Sequence, residues 1–97
     1  MLELHETLSK LKSFKDTVGD HYGISRIGIF GSVARQQNKE DSDLDVVVEM
    51  DKPTLRLMYE LEEGLKLQFN CNIDIVQMRP TLRPLLRQQI QRDAIYV

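Results

Sequence analysis

The stretch Leu44-Asp45-Val46-Val47-Val48 is the most hydrophobic run in the chain, yet it carries a carboxylate inside it and directly follows another, Asp43. Consecutive valines favour extended backbone, and a run without polar alternation suits a strand buried on both faces. Whatever the fold, it must cover two sides of a sheet at this point. Side chains at i and i+2 of a strand point the same way, so Asp43 and Asp45 share a face while Leu44 and Val46 turn away. Carboxylates about 5–7 Å apart repel, and a partly dry site makes this worse. A divalent cation offsets the cost directly, and hard oxygen ligands favour Mg²⁺ or Mn²⁺. An isolated Asp-x-Asp pair also fits a turn followed by a cap, so the pair needs support from elsewhere in the chain.

Asp74 supplies some. It lies between Ile73 and Ile75, in a segment, Ile73 to Met78, that otherwise reads as a core strand. An ionised carboxylate alone in such a place is costly. Either the residue faces water on an edge strand, or its strand lies beside the Asp43–Asp45 strand and completes a three-carboxylate cluster. Such a cluster suits two cations sharing bridging oxygens, the arrangement used for in-line phosphoryl chemistry.

The remaining elements follow from periodicity. Leu4, Leu8, Leu11, Phe14, Val18 and Tyr22 recur at steps of three and four, one face of an amphipathic helix that stops at Gly23. Ile24 to Phe30 reads as a strand ending at Gly31, and Ser32 to Gln36 as a short helix opening from it. Gln37 to Ser42 is a polar loop, and Leu44 to Glu49 is the second strand. Asp51-Lys52-Pro53-Thr54 starts a helix whose apolar face is Leu55, Met58, Leu61, Leu65 and Phe69. Leu85 to Arg92 forms a last helix, and Ala94 to Val97 a short strand or packed tail. This order predicts helices packed on a small sheet, and 97 residues predict one domain, residues 1–97.

The junction Phe30-Gly31-Ser32 admits two readings. Glycine permits close backbone approach to a ligand, the first turn of a helix carries free N–H groups that suit phosphate, and Ser32 adds a hydroxyl. Equally, Gly31 makes a turn and Ser32 caps a helix. No Walker A sequence is present.

Taken together, Gly31-Ser32, ten intervening residues and Asp43-Leu44-Asp45 resemble the G-S-x10-D-x-D signature of the minimal nucleotidyltransferases, in the DNA polymerase beta-like nucleotidyltransferase superfamily. Ile29 and Phe30 before Gly31, Val46 to Val48 after Asp45, and Asp74 as the later acid match the rest of that pattern. The chain is most similar to the MntA-like antitoxins of HEPN/MNT toxin–antitoxin systems. The resemblance implies an α+β nucleotidyltransferase fold, a small mixed β-sheet with helices packed against it. It also implies ATP as substrate, two Mg²⁺ ions, and transfer of AMP to a hydroxyl, a tyrosine of a partner HEPN toxin. Carried onto this chain, it gives Gly31 and Ser32 to the triphosphate, Asp43 and Asp45 to both metals, and Asp74 to the metal nearer the acceptor. Arg35, one turn into the short helix, is placed to reach a phosphate or to serve as a surface cation.

Composition narrows the alternatives. A net charge of −2 argues against a nucleic-acid coat protein, while 13 Lys and Arg still allow a local basic patch, with Arg79, Arg83, Arg87 and Arg92 in the C-terminal quarter. A single cysteine, Cys71, excludes an intramolecular disulfide and fits a reducing compartment. There is no apolar run of the roughly 18 residues that span a bilayer, and the N-terminus lacks a signal-peptide pattern. These features predict a cytoplasmic protein without a membrane partner. Its small size leaves the acceptor to come from outside, as a partner protein does. Two alternatives stay open: a non-catalytic antitoxin that neutralises by contact, and a nucleotidyltransferase for a small hydroxylated molecule. The closing strand and exposed apolar residues allow a homo-oligomer.

Overall fold

Helix α1, Leu4–Tyr22, begins where the Glu3 carboxylate accepts hydrogen bonds from the backbone N–H groups of His5 (3.0 Å) and Glu6 (2.8 Å). It ends at Gly23, whose left-handed φ of 68° turns the chain into strand β1, Ile24–Phe30. The computed structural model describes all 97 residues. Beyond β1 come α2 (Gly31–Ala34), β2 (Leu44–Met50), α3 (Leu55–Phe69), β3 (Ile73–Gln77), α4 (Pro84–Asp93) and β4 (Ile95–Tyr96). Helix α2 is shorter than its sequence suggests, because Gln36 takes a left-handed φ of 59° and breaks the spiral. The C-terminal residues resolve into a two-residue strand, β4.

The sheet has the order β3-β2-β1-β4. Strand β1 runs antiparallel to both β2 and β4, and β2 pairs in parallel with β3. It is therefore mixed, and α3 provides the long connection that a parallel pair requires. This is the small mixed sheet with packed helices expected from the motif.

Two apolar layers flank the sheet, and the valine run reads onto both. Val46 and Val48 pack into the larger core with Leu11 of α1 and Leu61, Leu65 and Phe69 of α3. Val47, between them, points to the opposite side, where Phe30 and Ile90 of α4 close over it. All three valines are fully buried, each contributing about 1.5–3 kcal/mol of hydrophobic stabilisation.

The apolar stripe of α3 is narrower than the sequence implies. Met58, Leu61, Leu65 and Phe69 pack on the core, but Leu55 is 91% exposed. Six residues separate it from Leu61, which at about 100° per residue leaves it roughly 120° round the helix. It is also the first helical residue, directly after the cap Thr54, whose hydroxyl accepts from the Leu57 N–H at 3.0 Å. No helix is long and apolar enough to cross a membrane.

Candidate active site

Sheet register brings the acids together. On the face covered by α4, Phe30 of β1 stands opposite Asp45 of β2, and Asp45 stands opposite Asp74 of β3. Because β2 and β3 are parallel and in register, a separation of 29 positions in the chain becomes adjacency between neighbouring strands, about 4.8 Å apart. Both carboxylates share a face with Val47 and Val76, two residues further along their strands.

Gly31 sits directly beneath Asp45. Its φ is 74°, a conformation that side chains disfavour, and a Cβ added there would lie 2.9 Å from Asp45 Cγ. Glycine is thus required twice, by the turn from β1 into α2 and by the carboxylate packed against it. The first-turn amides of α2 have no partner within the helix, and the N-cap residue, Phe30, offers them no side-chain bond.

These elements line one cleft of about 530 Å³. Of the residues singled out from sequence, Gly31, Ser32, Arg35, Asp45 and Asp74 line it together. Asp43 does not: it is exposed, one residue ahead of β2. No three His, Cys, Asp or Glu side chains stand arranged as a ready ligand set. Like charges repel, and Asp43, outside the strand, keeps its carboxylate in water.

Asp45 bears the electrostatic strain. Burial, then the Asp74 carboxylate, then that of Asp43 push its pKa from 3.8 up to about 6, with the Arg35 guanidinium opposing them. Burial first, and neighbouring negative charge second, disfavour its ionised form, and the donor set is all carboxylate oxygen. Both fit a hard divalent cation.

The far wall of the cleft comes from α4, whose Leu86, Gln89, Arg92 and Asp93 line it. Asp93 has a side chain only 6% exposed and binds two guanidiniums. Arg92 donates from Nε to Oδ1 (2.9 Å) and from Nη2 to Oδ2 (3.1 Å), and Arg35 donates from Nη1 to Oδ2 (2.7 Å). The Arg92 bonds, with help from Arg35 and against burial, hold the Asp93 carboxyl well below the usual range. Arg35 therefore reaches the cleft wall already paired. Asp93 was not singled out from sequence, although one signal was available. It is the last residue of α4, and the negative end of a helix disfavours an acid unless cations compensate.

A larger cleft, of about 680 Å³, lies along another side of α4 and is lined by Arg26, Glu49, Arg79, Arg87 and Tyr96 among others. Its single carboxylate, Glu49, is bound by Arg26 at 3.1 Å, and the Arg26 guanidinium lies 3.8 Å from the Tyr96 ring centroid. The paired acids belong to the smaller cleft.

The pattern that defines the nucleotidyltransferase domain matches residues 11–97. A protein adenylyltransferase, MntA, of Thermococcus cleftensis is 36% identical over 98 residues, covering 100% of this chain and 98% of the relative. A solved structure assigned as a minimal nucleotidyltransferase superposes with a TM-score of 0.78 at 37% identity, covering 97% of this chain and 95% of the other. The fold is also that of a Shewanella oneidensis MNT antitoxin solved in complex with a tri-AMPylated HEPN toxin, with a TM-score of 0.65, 21% identity, and coverage of 93% of this chain and 69% of the other.

Proposed function

The chain belongs to the nucleotidyltransferase domain family, as an MntA-like minimal member, and from that premise we propose that it transfers AMP from ATP to a hydroxyl of a partner protein, in a magnesium-dependent reaction. The acceptor is a tyrosine of a HEPN-type toxin, and the modification makes the chain an antitoxin. The observation that carries this reading is the meeting of the Gly31-Ser32 turn with Asp45 and Asp74 in a single cleft.

Each residue has a role set by its position. Gly31 lets the main chain approach a phosphate, and Ser32 supplies a hydroxyl donor at the same turn. Asp45, Asp74 and, once turned inward, Asp43 would hold Mg²⁺, which when bound neutralises phosphate charge and stabilises the departing pyrophosphate. Asp74 is exposed on the edge strand, so an incoming hydroxyl can reach it and hand its proton to the carboxylate. The acceptor oxygen then bonds to the α-phosphorus as the bond to the pyrophosphate oxygen breaks, and the proton passes from Asp74 to solvent. Arg35 offers positive charge to the phosphates. Most of the acceleration comes from positioning and fixed charge.

Its test is incubation with labelled ATP, Mg²⁺ and the partner protein, followed by mass analysis of partner tyrosines. An added AMP that disappears with Asp43→Ala and Asp45→Ala supports the reading. A partner that is neutralised yet unmodified would instead mean inhibition by contact, and label transferred equally well by both variants would move the site elsewhere.

A further inference from the structure

Asp93 ties α4 to α2 and at the same time fixes two cations of the cleft. It puts an acid at the negative end of α4, nearly buries its side chain, and spends it wholly on Arg35 and Arg92, both of which line the candidate active site. Oδ2 is shared: it accepts from Arg35 Nη1 at 2.7 Å and from Arg92 Nη2 at 3.1 Å. Two guanidiniums brought this close repel each other unless an anion stands between them. We propose that Asp93 is a positioning residue that holds Arg35 and Arg92 side by side as a cationic clamp for the β- and γ-phosphates of a nucleoside triphosphate. This rests on the nucleotidyltransferase reading of the cleft.

Donor counting supports the clamp. A guanidinium has five N–H donors. Arg35 uses one on Asp93 and one on Gln37 Oε1 (3.1 Å), and Arg92 uses two on Asp93, so each keeps three. Exposure shows which side remains open. The Arg35 and Arg92 side chains are 39% and 65% exposed, whereas that of Asp93 is 6% exposed. The carboxylate is therefore the floor on which the cations rest and not a competitor for the ligand above them. The three groups together carry one net positive charge, on the wall of a cleft otherwise lined by the Asp45 and Asp74 carboxylates. A ligand rich in phosphate needs that counterweight, and two guanidiniums held in place bind it without first paying to order them.

Isothermal titration calorimetry on the full chain, with Mg²⁺ present, tests the clamp using ATP and AMP as separate ligands. Asp93→Ala is expected to weaken ATP binding roughly tenfold and AMP binding by less than about twofold, because AMP lacks the phosphates concerned. Arg92→Ala, at an exposed position, should give the same pattern. The double variant should be no more than about twofold weaker than Asp93→Ala alone, since both act through one clamp. Asp93→Glu, which keeps the carboxylate, should recover part of the loss. Unchanged or tighter ATP binding by Asp93→Ala or Arg92→Ala overturns the proposal, as does an equal loss for ATP and AMP. Failure of the unaltered protein to bind either nucleotide would instead remove the reading of the cleft on which the clamp rests.

Discussion

Replacing Asp45 with asparagine should stabilise the protein when no divalent cation is present, even though it removes a residue assigned to the chemistry. Asp45 lies at the centre of the carboxylate group, and its pKa rises from 3.8 to about 6 on folding through burial, Asp74 and Asp43. A carboxyl whose pKa is raised in the folded state favours folding least when it is ionised. Its contribution is neutral below about pH 4, where it is protonated folded and unfolded alike, and grows unfavourable as pH rises through about 6. A rise from 3.8 to about 6 corresponds to an upper bound of about 3 kcal/mol. The side chain is half-buried, and screening by solvent reduces this to about 1–1.5 kcal/mol. Burial and like charge dominate the shift, with no hydrogen bond among its causes, so the near-isosteric amide sacrifices little. For a domain of this size the gain is a rise in Tm of about 5–8 °C. Thermal melts followed by circular dichroism in EDTA should show that rise for Asp45→Asn at pH 7.5 and a much smaller one at pH 4.5. Added Mg²⁺ should raise the Tm of the unaltered chain and not that of the variant. A variant that melts at or below the unaltered protein at pH 7.5 in EDTA, or an increase that does not change with pH, would refute this account of the site's electrostatics.

Gly31→Ala should cost about 1–3 kcal/mol, from its φ of 74° and the contact with Asp45, and should also weaken Mg²⁺-dependent ATP binding; melts and calorimetry on the same sample check both effects. On α3, Leu61→Ala should destabilise by about 2–5 kcal/mol, while Leu55→Ser, at an exposed position, should stay within about 0.5 kcal/mol in urea titrations. Thr54→Ala should remove the cap of α3 and cost about 1 kcal/mol, read from the same titrations.

Local patterns made much of this molecule legible. Three valines in a row announce a strand covered on both sides, and Val47 facing away from Val46 and Val48 shows why such a run is needed. Gly23 marks the end of α1 because only its left-handed turn releases the chain into β1. The parity of strand residues puts Asp74 on a definite side, but parity cannot say which strand lies next to it, and the Asp45–Asp74 register depends on how α3 carries the chain back to the sheet. The exposure of Leu55 and the position of Asp43 outside the cleft lining escape periodicity for a similar reason. Asp43 lies just ahead of β2 and Leu55 is the first residue of α3, so spacing still matches there but the packing partner has run out. Asp93 was hidden because its partners lie 58 residues away at Arg35 and next door at Arg92, and only the tertiary fold joins them.

The parallel pairing of β2 with β3 also bears on the order in which the site is assembled. Strands β1 and β2 are neighbours in the chain and pair antiparallel, so Gly31, Ser32 and Asp45 meet through a comparatively short loop closure. Asp74 joins only after α3 has docked and β3 has aligned, a step that brings one carboxylate against another. A nascent or partly unravelled molecule therefore has the Gly31-Ser32 turn and Asp45 in place without Asp74. On the function proposed above, a divalent cation held by Asp45 and Asp74 would act as a rivet, coupling completion of the sheet to readiness for group transfer.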